Sequence, residues 1–360
     1  MRTIRIALIV IAIVAVFARS EMAQQGYKQP QLHAKETHLR NIKQLTFGGE
    51  NAEAYFSLDG KQVILQSTRP PYKCDQIFTM NADGSNVKMV STGKGRTTCA
   101  YFMPDGKRVI YASTHLGSPD CPPVPDRALG YIWALYPSFD IFSAKTDGTD
   151  MKRLTNTNRY DAEGTVSTDG KKIVFTSLRS GDLEIWDMNI DGSQPRQLTN
   201  ELGYDGGPWH SQDGQWITWR ASRPKTPEDV QAYKDLIAKD LVKPDKLEIM
   251  VMRADGSQKK QLTSNGKANF APYFHPNGRQ IIFVSNVNNP NPRSANFDLF
   301  LVNRDGTGLE QITFDEAFDG FPMFSNDGKK LIWASNRNSK TEGETDVFIA
   351  DWVEKASSSN

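Results

Sequence analysis

The chain has 360 residues, of which 38% are hydrophobic and 24% charged, and this balance excludes an intrinsically disordered protein. Lys and Arg number 43 against 42 Asp and Glu, so the formal net charge is +1 and the composition provides no basic field for binding nucleic acid. The 27 Gly, 19 Pro, 18 Phe, 11 Tyr and 7 Trp residues favour many short strands joined by turns.

The amino terminus has the pattern of a secretory signal peptide. Arg2 and Arg5 precede an unbroken apolar run from Ile6 to Ala18, shorter than the roughly 20 residues that a membrane-spanning helix needs. We predict a signal peptide over 1–18 and a linker over 19–41, with an uncleaved anchor as the alternative. We therefore expect a periplasmic or secreted protein with no stable membrane span after signal cleavage.

The three cysteines are too few for a disulfide scaffold, and an odd number in an exported chain leaves one thiol over. Cys74, Cys99 and Cys121 form no C-x-x-C pair, which argues against a zinc or redox motif. One internal disulfide is plausible, with Cys121 its strongest candidate member, but the sequence does not assign the pairing.

Internal repetition is the strongest pattern in the chain. Six segments combine an aromatic or apolar pair, a spacer, Asp-Gly or Asn-Gly and a β-branched strand, and their glycines are Gly60, Gly106, Gly170, Gly214, Gly278 and Gly328. A second Asp-Gly turn and a segment resembling Gln-Leu-Thr follow in most units. Each unit predicts four short strands, which cannot bury both faces of their sheet unless neighbouring units stack around an axis. We predict an all-β fold, a six-bladed β-propeller of four-stranded blades over 42–353 with a tail over 354–360.

The order of the repeats also predicts how the ring closes. The last unit lacks a Gln-Leu-Thr strand, whereas the first such strand, Gln44-Leu45-Thr46, precedes every complete unit. We therefore expect the amino-terminal strand to complete the sixth blade, which removes an exposed sheet edge.

The recurring Ser-x-Asp-Gly-Lys-x-Ile, Asn-x-Asp-Gly-Ser and Gln-Leu-Thr segments resemble the TolB-type β-propeller repeat, found in TolB and in relatives of the prolyl oligopeptidase propellers. The resemblance covers about residues 42 to 353. It implies the propeller fold and a cell-envelope setting. TolB carries an α/β domain before its propeller, and because only a short linker precedes the first strand here, we expect that domain to be missing.

Two long insertions, 116–138 and 224–246, follow the second strands of their blades, so both should lie on one face, here called the insertion face. The first contains five prolines and the aromatic residues Tyr131, Trp133 and Tyr136. In the second, Thr226 and Pro227 mark a helix start. The insertions are interpreted either as binding elements or as segments that pack onto their own blades.

Aligning the units predicts an acidic mouth at the central channel. The predicted binding residues are Asn51, Glu53, Asp161, Glu163, Asp205, Asn269 and Asp319. Converging carboxylates would suit a cation or a basic peptide group, and their oxygens could hold Ca²⁺. The alternative is that these side chains cap the turns leading into each strand.

A second pattern predicts ion pairs inside the blades. Arg69, Arg179, Arg223 and Arg337 end second strands. Asp140, Glu184, Glu248, Asp298 and Asp346 open third strands, and we expect the two sets to pair.

The chain contains no Gly-x-Ser-x-Gly and no His-Glu-x-x-His motif, so the sequence identifies no catalytic residue. The preferred hypothesis is a scaffold that binds an envelope protein or peptide. One alternative is a Ca²⁺-dependent lactonase or esterase-like hydrolase with its metal in the channel; otherwise no cofactor is expected. A weaker alternative is a carbohydrate-binding module that uses the insertion aromatics for stacking.

Overall fold

The computed structural model describes residues 27–126, 128, 130–289, 291 and 296–355. The predicted signal peptide, the start of the linker and the end of the tail lie outside these residues. Six four-stranded antiparallel sheets follow one another along the chain, as the repeats predicted. The first strands of neighbouring blades pack against each other, so they are the innermost strands around the axis.

Blades 1 to 3 each contain four strands in chain order from the axis outward. Their strands are β2(Glu50–Phe56), β3(Gln62–Thr68), β4(Gln76–Asn81) and β5(Lys88–Met89); β6(Thr97–Phe102), β7(Arg108–Ser113), β9(Asp140–Lys145) and β10(Lys152–Arg153); and β11(Asp161–Val166), β12(Lys172–Ser177), β13(Glu184–Asn189) and β14(Arg196–Gln197).

Blades 4 and 5 repeat this order, and blade 6 takes its outermost strand from the amino terminus. Their strands are β15(Asp205–His210), β16(Trp216–Ala221), β18(Glu248–Arg253) and β19(Lys260–Gln261); β20(Asn269–Phe274), β21(Gln280–Ser285), β22(Asp298–Asn303) and β23(Glu310–Gln311); and β24(Asp319–Phe324), β25(Lys330–Ser335), β26(Asp346–Trp352) and β1(Leu39–Gln44).

The predicted ring closure is confirmed. Strand β1 pairs antiparallel with β26, with Leu39 opposite Trp352 and Lys43 opposite Ile349. The closing strand begins at Leu39, so the last part of the predicted linker belongs to the sheet. Glu36, just before it, is buried and bonds Arg337 at 3.2 Å, which extends the contact with blade 6.

The Gln-Leu-Thr segments fix the outer strands through their threonines. In blade 3, the Thr199 hydroxyl donates to the Glu184 carboxylate and accepts the backbone N–H of Ile185 at 2.8 Å. Equivalent Thr–carboxylate bonds occur in blades 2, 4, 5 and 6. In blade 1, Ser91 and Gln76 take these places, so Met89-Val90-Ser91 is the counterpart of Gln-Leu-Thr there.

The two insertions interact with each other. Strands β8(Trp133–Ala134) and β17(Leu241–Val242) form a two-stranded antiparallel sheet between them. The helix α1(Pro227–Ile237) begins as predicted, with Thr226 as its N-cap and Pro227 in the first turn. No helix in the described part of the chain is long and apolar enough to cross a membrane.

Candidate functional site

A bulge in the first strand of every blade turns one side chain toward the axis. The pairing register shifts between the third and sixth residues of β2 and between the second and fifth residues of its five counterparts. The bulged residue has a positive φ of 48–61°. These six residues, called the axial ring, line one small cavity of about 40 Å³: Glu53, Cys99, Glu163, Gly207, Ala271 and Phe321.

Aromatic side chains fill the axis beneath the axial ring. Trp209 packs edge to face against Tyr55, Tyr101 and Tyr273, with ring centroids 4.9–5.0 Å apart. Trp209 also lines a cavity of about 30 Å³ on its far side. These four residues form a plug, so a ligand entering from the insertion face meets a solid floor.

Above the axial ring lies a wider cavity of about 350 Å³, called the mouth cavity. Its size is within the range of small-ligand pockets, which begins near roughly 300 Å³. Tyr131, Trp133 and Tyr136 from the first insertion line its wall, so the structure brings all three predicted aromatics together there. Tyr131 is 75% exposed at the rim.

The first insertion is held over the mouth by covalent and polar links. A disulfide joins Cys74 of blade 1 to Cys121, with Cα atoms 5.9 Å apart, and Cys99 is a free thiol in the axial ring. The Tyr136 hydroxyl donates to the Pro123 carbonyl at 2.6 Å, and the Leu135 N–H donates to the Asp240 carbonyl of the second insertion at 2.7 Å. The wall of the mouth cavity is therefore tied to two blades and to the other insertion.

One side of the floor is a neutralised ion pair. Arg220 forms a short salt bridge with Glu163, and its Nε donates to the Tyr204 hydroxyl at 2.8 Å. Glu163 also accepts the Gly207 N–H at 2.9 Å and the Thr176 hydroxyl at 2.7 Å. A Cβ at 207 would lie 2.1 Å from Arg220 Nη1, so any side chain there would have to displace the guanidinium. The guanidinium also stacks over the Trp133 ring at 5.0 Å, which joins the floor to the wall.

The other side of the floor contains an acid without a cationic partner among the described residues. The Glu53 carboxylate accepts a long 3.7 Å bond from the Cys99 thiol. Burial raises the pKa of Glu53 to about 7; the Cys99 bond lowers it and nearby Glu163 raises it. Burial, with help from the two glutamates, also raises the pKa of Cys99 well above its usual value, so that thiol stays protonated.

The remaining predicted mouth residues lie elsewhere, in what is here called the buried ring. Its members have no exposed surface and do not line the mouth cavity: Asn51, Thr97, Asp161, Asp205, Asn269 and Asp319. The amide of Asn269 bonds the Leu247 carbonyl and Glu248 of blade 4, and that of Asn51 bonds Thr345 and Asp346 of blade 6. The prediction that these side chains converge at the mouth is therefore wrong for this set, because they bond inside and between blades.

The buried ring also supplies the partners of the arginines that end the second strands. The prediction that these arginines pair with the third-strand carboxylates is therefore wrong. Arg179 pairs with Asp161 at 2.9 Å, and Arg223 and Arg337 pair likewise with Asp205 and Asp319. In blade 1, Arg69 donates to the Asn51 amide oxygen at 2.6 Å. The carboxylates that open the third strands instead accept hydrogen bonds from the threonines of the Gln-Leu-Thr segments. The arginines therefore bond side chains of the first strands.

Sequence reasoning missed Arg220, Tyr204 and Trp209. Arg220 occupies a position where the other blades have Gln66, Ala112, Thr176, Val284 and Ala334, so it departs from the repeat. Within the described residues, no group of three or more His, Cys, Asp or Glu side chains is arranged to hold a metal ion. The possible Ca²⁺ site therefore remains only a prediction.

No family model matches this chain, and no curated protein matches its sequence. Solved structures do match by shape. A protein assigned as TolB from Agrobacterium tumefaciens superposes with a TM-score of 0.58 and 18% identity, over 87% of this chain and 97% of that one. TolB from Acinetobacter baumannii gives 0.55 and 16%, over 84% of this chain and 63% of that one.

A protein of another kind is also similar in shape. An oligogalacturonate lyase from Vibrio parahaemolyticus superposes with a TM-score of 0.50 and 12% identity, over 86% of this chain and 93% of that one. At such identities the likeness shows the fold alone. Taken with the six four-stranded blades, it shows that this chain folds as a TolB-like six-bladed β-propeller.

Proposed function

We propose that this chain is an exported TolB-like scaffold in the periplasm or cell envelope that binds a protein or peptide through the mouth cavity. The observation behind the proposal is the combination of aromatic wall and polar floor, with Tyr131 exposed at the rim and Glu53 below it. Aromatic side chains supply rigid contact area at low entropic cost, which suits peptide recognition.

The charges of the floor select the kind of group that would enter. Arg220 already neutralises Glu163, whereas Glu53 has only a thiol as its partner. A basic side chain or a free amino terminus would supply the missing cation. Such a ligand stabilises ionised Glu53. Its binding should therefore strengthen as the pH rises through about 7, the pKa of Glu53 in the protein without a ligand.

The experiment selects a phage-displayed library of random heptapeptides against the purified chain and measures the affinities of the recovered peptides. Tyr131→Ala and Glu53→Gln should each weaken binding at least tenfold. Leu309→Ala is the matched control, because Leu309 is 51% exposed and lies beside an Asp-Gly turn away from the insertions. Repeating the measurements at pH 6 and pH 8 tests Glu53, whose Gln variant should lose the pH dependence.

Peptides that bind both mouth variants as tightly as the parent would show that the mouth cavity is not the binding site. Peptides without a basic group, with affinities that do not change between pH 6 and pH 8, would contradict the role assigned to Glu53.

A further inference from the structure

A second surface lies between blades 4 and 5, beside the Asp-Gly turns and away from the insertions. It is an open groove of about 540 Å³. Its walls include Trp216, Lys260, Arg279, Arg304 and Asp305. This groove shares no residue with the mouth cavity.

Trp216 stacks against two guanidinium groups, of which only that of Arg304 lines the groove. The guanidinium of Arg304 lies 4.3 Å from the indole centroid, and that of Arg253 lies 4.5 Å away. Arg304 also donates to the Gly278 carbonyl at 2.9 Å, and Lys260 donates to the Asp305 carbonyl at 2.8 Å. Stacking and carbonyl bonds therefore hold these cations in place without neutralising them.

The same position holds an ion-paired cation in two other blades. Where blade 4 has Trp216, blade 2 has Arg108, which pairs with Asp150 at 2.6 Å, and blade 6 has Lys330, which pairs with Asp351 at 2.7 Å. Among the described residues, neither Arg253, Lys260, Arg279 nor Arg304 has a carboxylate within ion-pair distance. The other three blades have Lys172, which donates to the Asn189 amide oxygen, and the neutral Gln62 and Gln280. Blade 4 thus departs from the repeat by placing an indole where the others have a polar side chain.

The acidic residues closest to the groove are engaged by their own turns. Asp305 accepts the Thr307 N–H at 2.9 Å and the Thr307 hydroxyl at 2.6 Å. Asp255 accepts the Ser257 N–H at 2.8 Å in the same way. Their carboxylates are directed into these turns, so the cations remain available to an external anion.

We propose that this groove binds an acidic segment of a partner protein, one with several Asp or Glu residues in an extended stretch. Three cations that line the groove from two blades, Lys260, Arg279 and Arg304, match several carboxylates better than one small anion. Guanidinium groups also bind carboxylates in a bidentate manner. Lys260 belongs to β19, the outermost strand of blade 4, so an extended peptide there lies beside a sheet edge with which it can form backbone hydrogen bonds.

The test measures binding of a fluorescein-labelled hexaglutamate peptide to the purified chain by fluorescence anisotropy, with a hexaglutamine peptide for comparison. We expect hexaglutamate alone to bind at low ionic strength and to weaken with added salt. The double variant Lys260→Gln/Arg279→Gln should weaken binding at least tenfold. The control is Lys88→Gln/Lys107→Gln, which removes the same charge at the equivalent positions of blades 1 and 2.

Equal losses in the two double variants would overturn the proposal, because binding would then follow net charge alone. Binding of a sulfated oligosaccharide or of anionic lipid vesicles that depends on Lys260 and Arg279, without binding of hexaglutamate, would overturn the assignment to an acidic peptide. Tyr131→Ala should leave hexaglutamate binding unchanged, so failure of this groove and failure of the mouth cavity are separate outcomes.

Discussion

The buried ring and the axial ring differ in how far they repeat, although their members lie two residues apart on the same strands. The buried ring holds Asn, Asp or Thr in every blade and bonds inside and between blades. The axial ring holds Glu, Cys, Glu, Gly, Ala and Phe. Positions that every blade shares maintain the propeller, whereas positions that differ from blade to blade shape its binding surface. Three measurements would test this division of roles.

The largest effect is expected from Asp161→Ala in the buried ring. Asp161 accepts from Ser177 at 2.5 Å, Arg179 at 2.9 Å and Thr157 at 2.8 Å, and it has no exposed surface. Its loss leaves a mostly buried guanidinium unpaired, so we expect the free energy of unfolding to fall by about 3 kcal/mol in urea denaturation. Glu53→Ala in the axial ring should cost under about 1 kcal/mol. Similar losses in both variants would contradict the comparison.

A smaller effect is expected from Gly207→Ala in the axial ring. Both the positive φ of 61° and the contact with Arg220 oppose an alanine there. Gly60→Ala is the control, since Gly60 has a φ of 69° and open space where its Cβ would lie. We expect Gly207→Ala to lower the free energy of unfolding by about 2 kcal/mol more than Gly60→Ala does. Equal costs would show that Arg220 moves aside freely.

The smallest effect is on the pH dependence of stability. Burial raises the pKa of Glu53 to about 7, of Glu184 to about 8, and of Asp298 and Asp346 to about 7. An acid whose pKa is higher in the folded than in the unfolded state contributes stability at pH values below its pKa in the unfolded state. This contribution is lost as the pH rises through its pKa in the folded state. These four acids should therefore lower the melting temperature from pH 5 to pH 8, against a smaller opposite contribution from His210, whose pKa burial lowers to about 4.

Glu53→Gln removes one of these acids without altering the blade contacts of the other three. Its melting temperature should fall less steeply over the same range, leaving it more stable than the parent at pH 8. Parallel curves for the parent and the variant would show that Glu53 is not the buried acid described here.

The sequence predicted the fold because its turns and strands recur with the same chemistry in every blade. It predicted the site only in part, and the reason is the bulge. Alternation along a strand places residues two apart on one face, so Asn51 and Glu53 were expected together at the mouth. The register shift that follows Ala52 separates the two side chains, and the residue types in these strands do not predict a bulge.

Departures from the repeat were the better guide to the site. Arg220, Gly207 and Trp216 each stand where the other blades have a different kind of residue, and the first two meet at the floor of the mouth cavity. The arginine partners were misassigned because both first- and third-strand carboxylates lie within reach of the second strand. The threonines of the outer strands hydrogen-bond the third-strand carboxylates, and the first-strand carboxylates are therefore the ones that pair with the arginines.

The pairing of β1 with β26 has a consequence for synthesis. A ribosome releases Leu39 long before Trp352, so β1 has no partner strand until β26 has emerged. Until then β1 is an unmatched edge available to neighbouring nascent chains. The pairing of β1 with β26, which closes the finished ring, is thus also the point at which an incomplete chain is most open to mispairing.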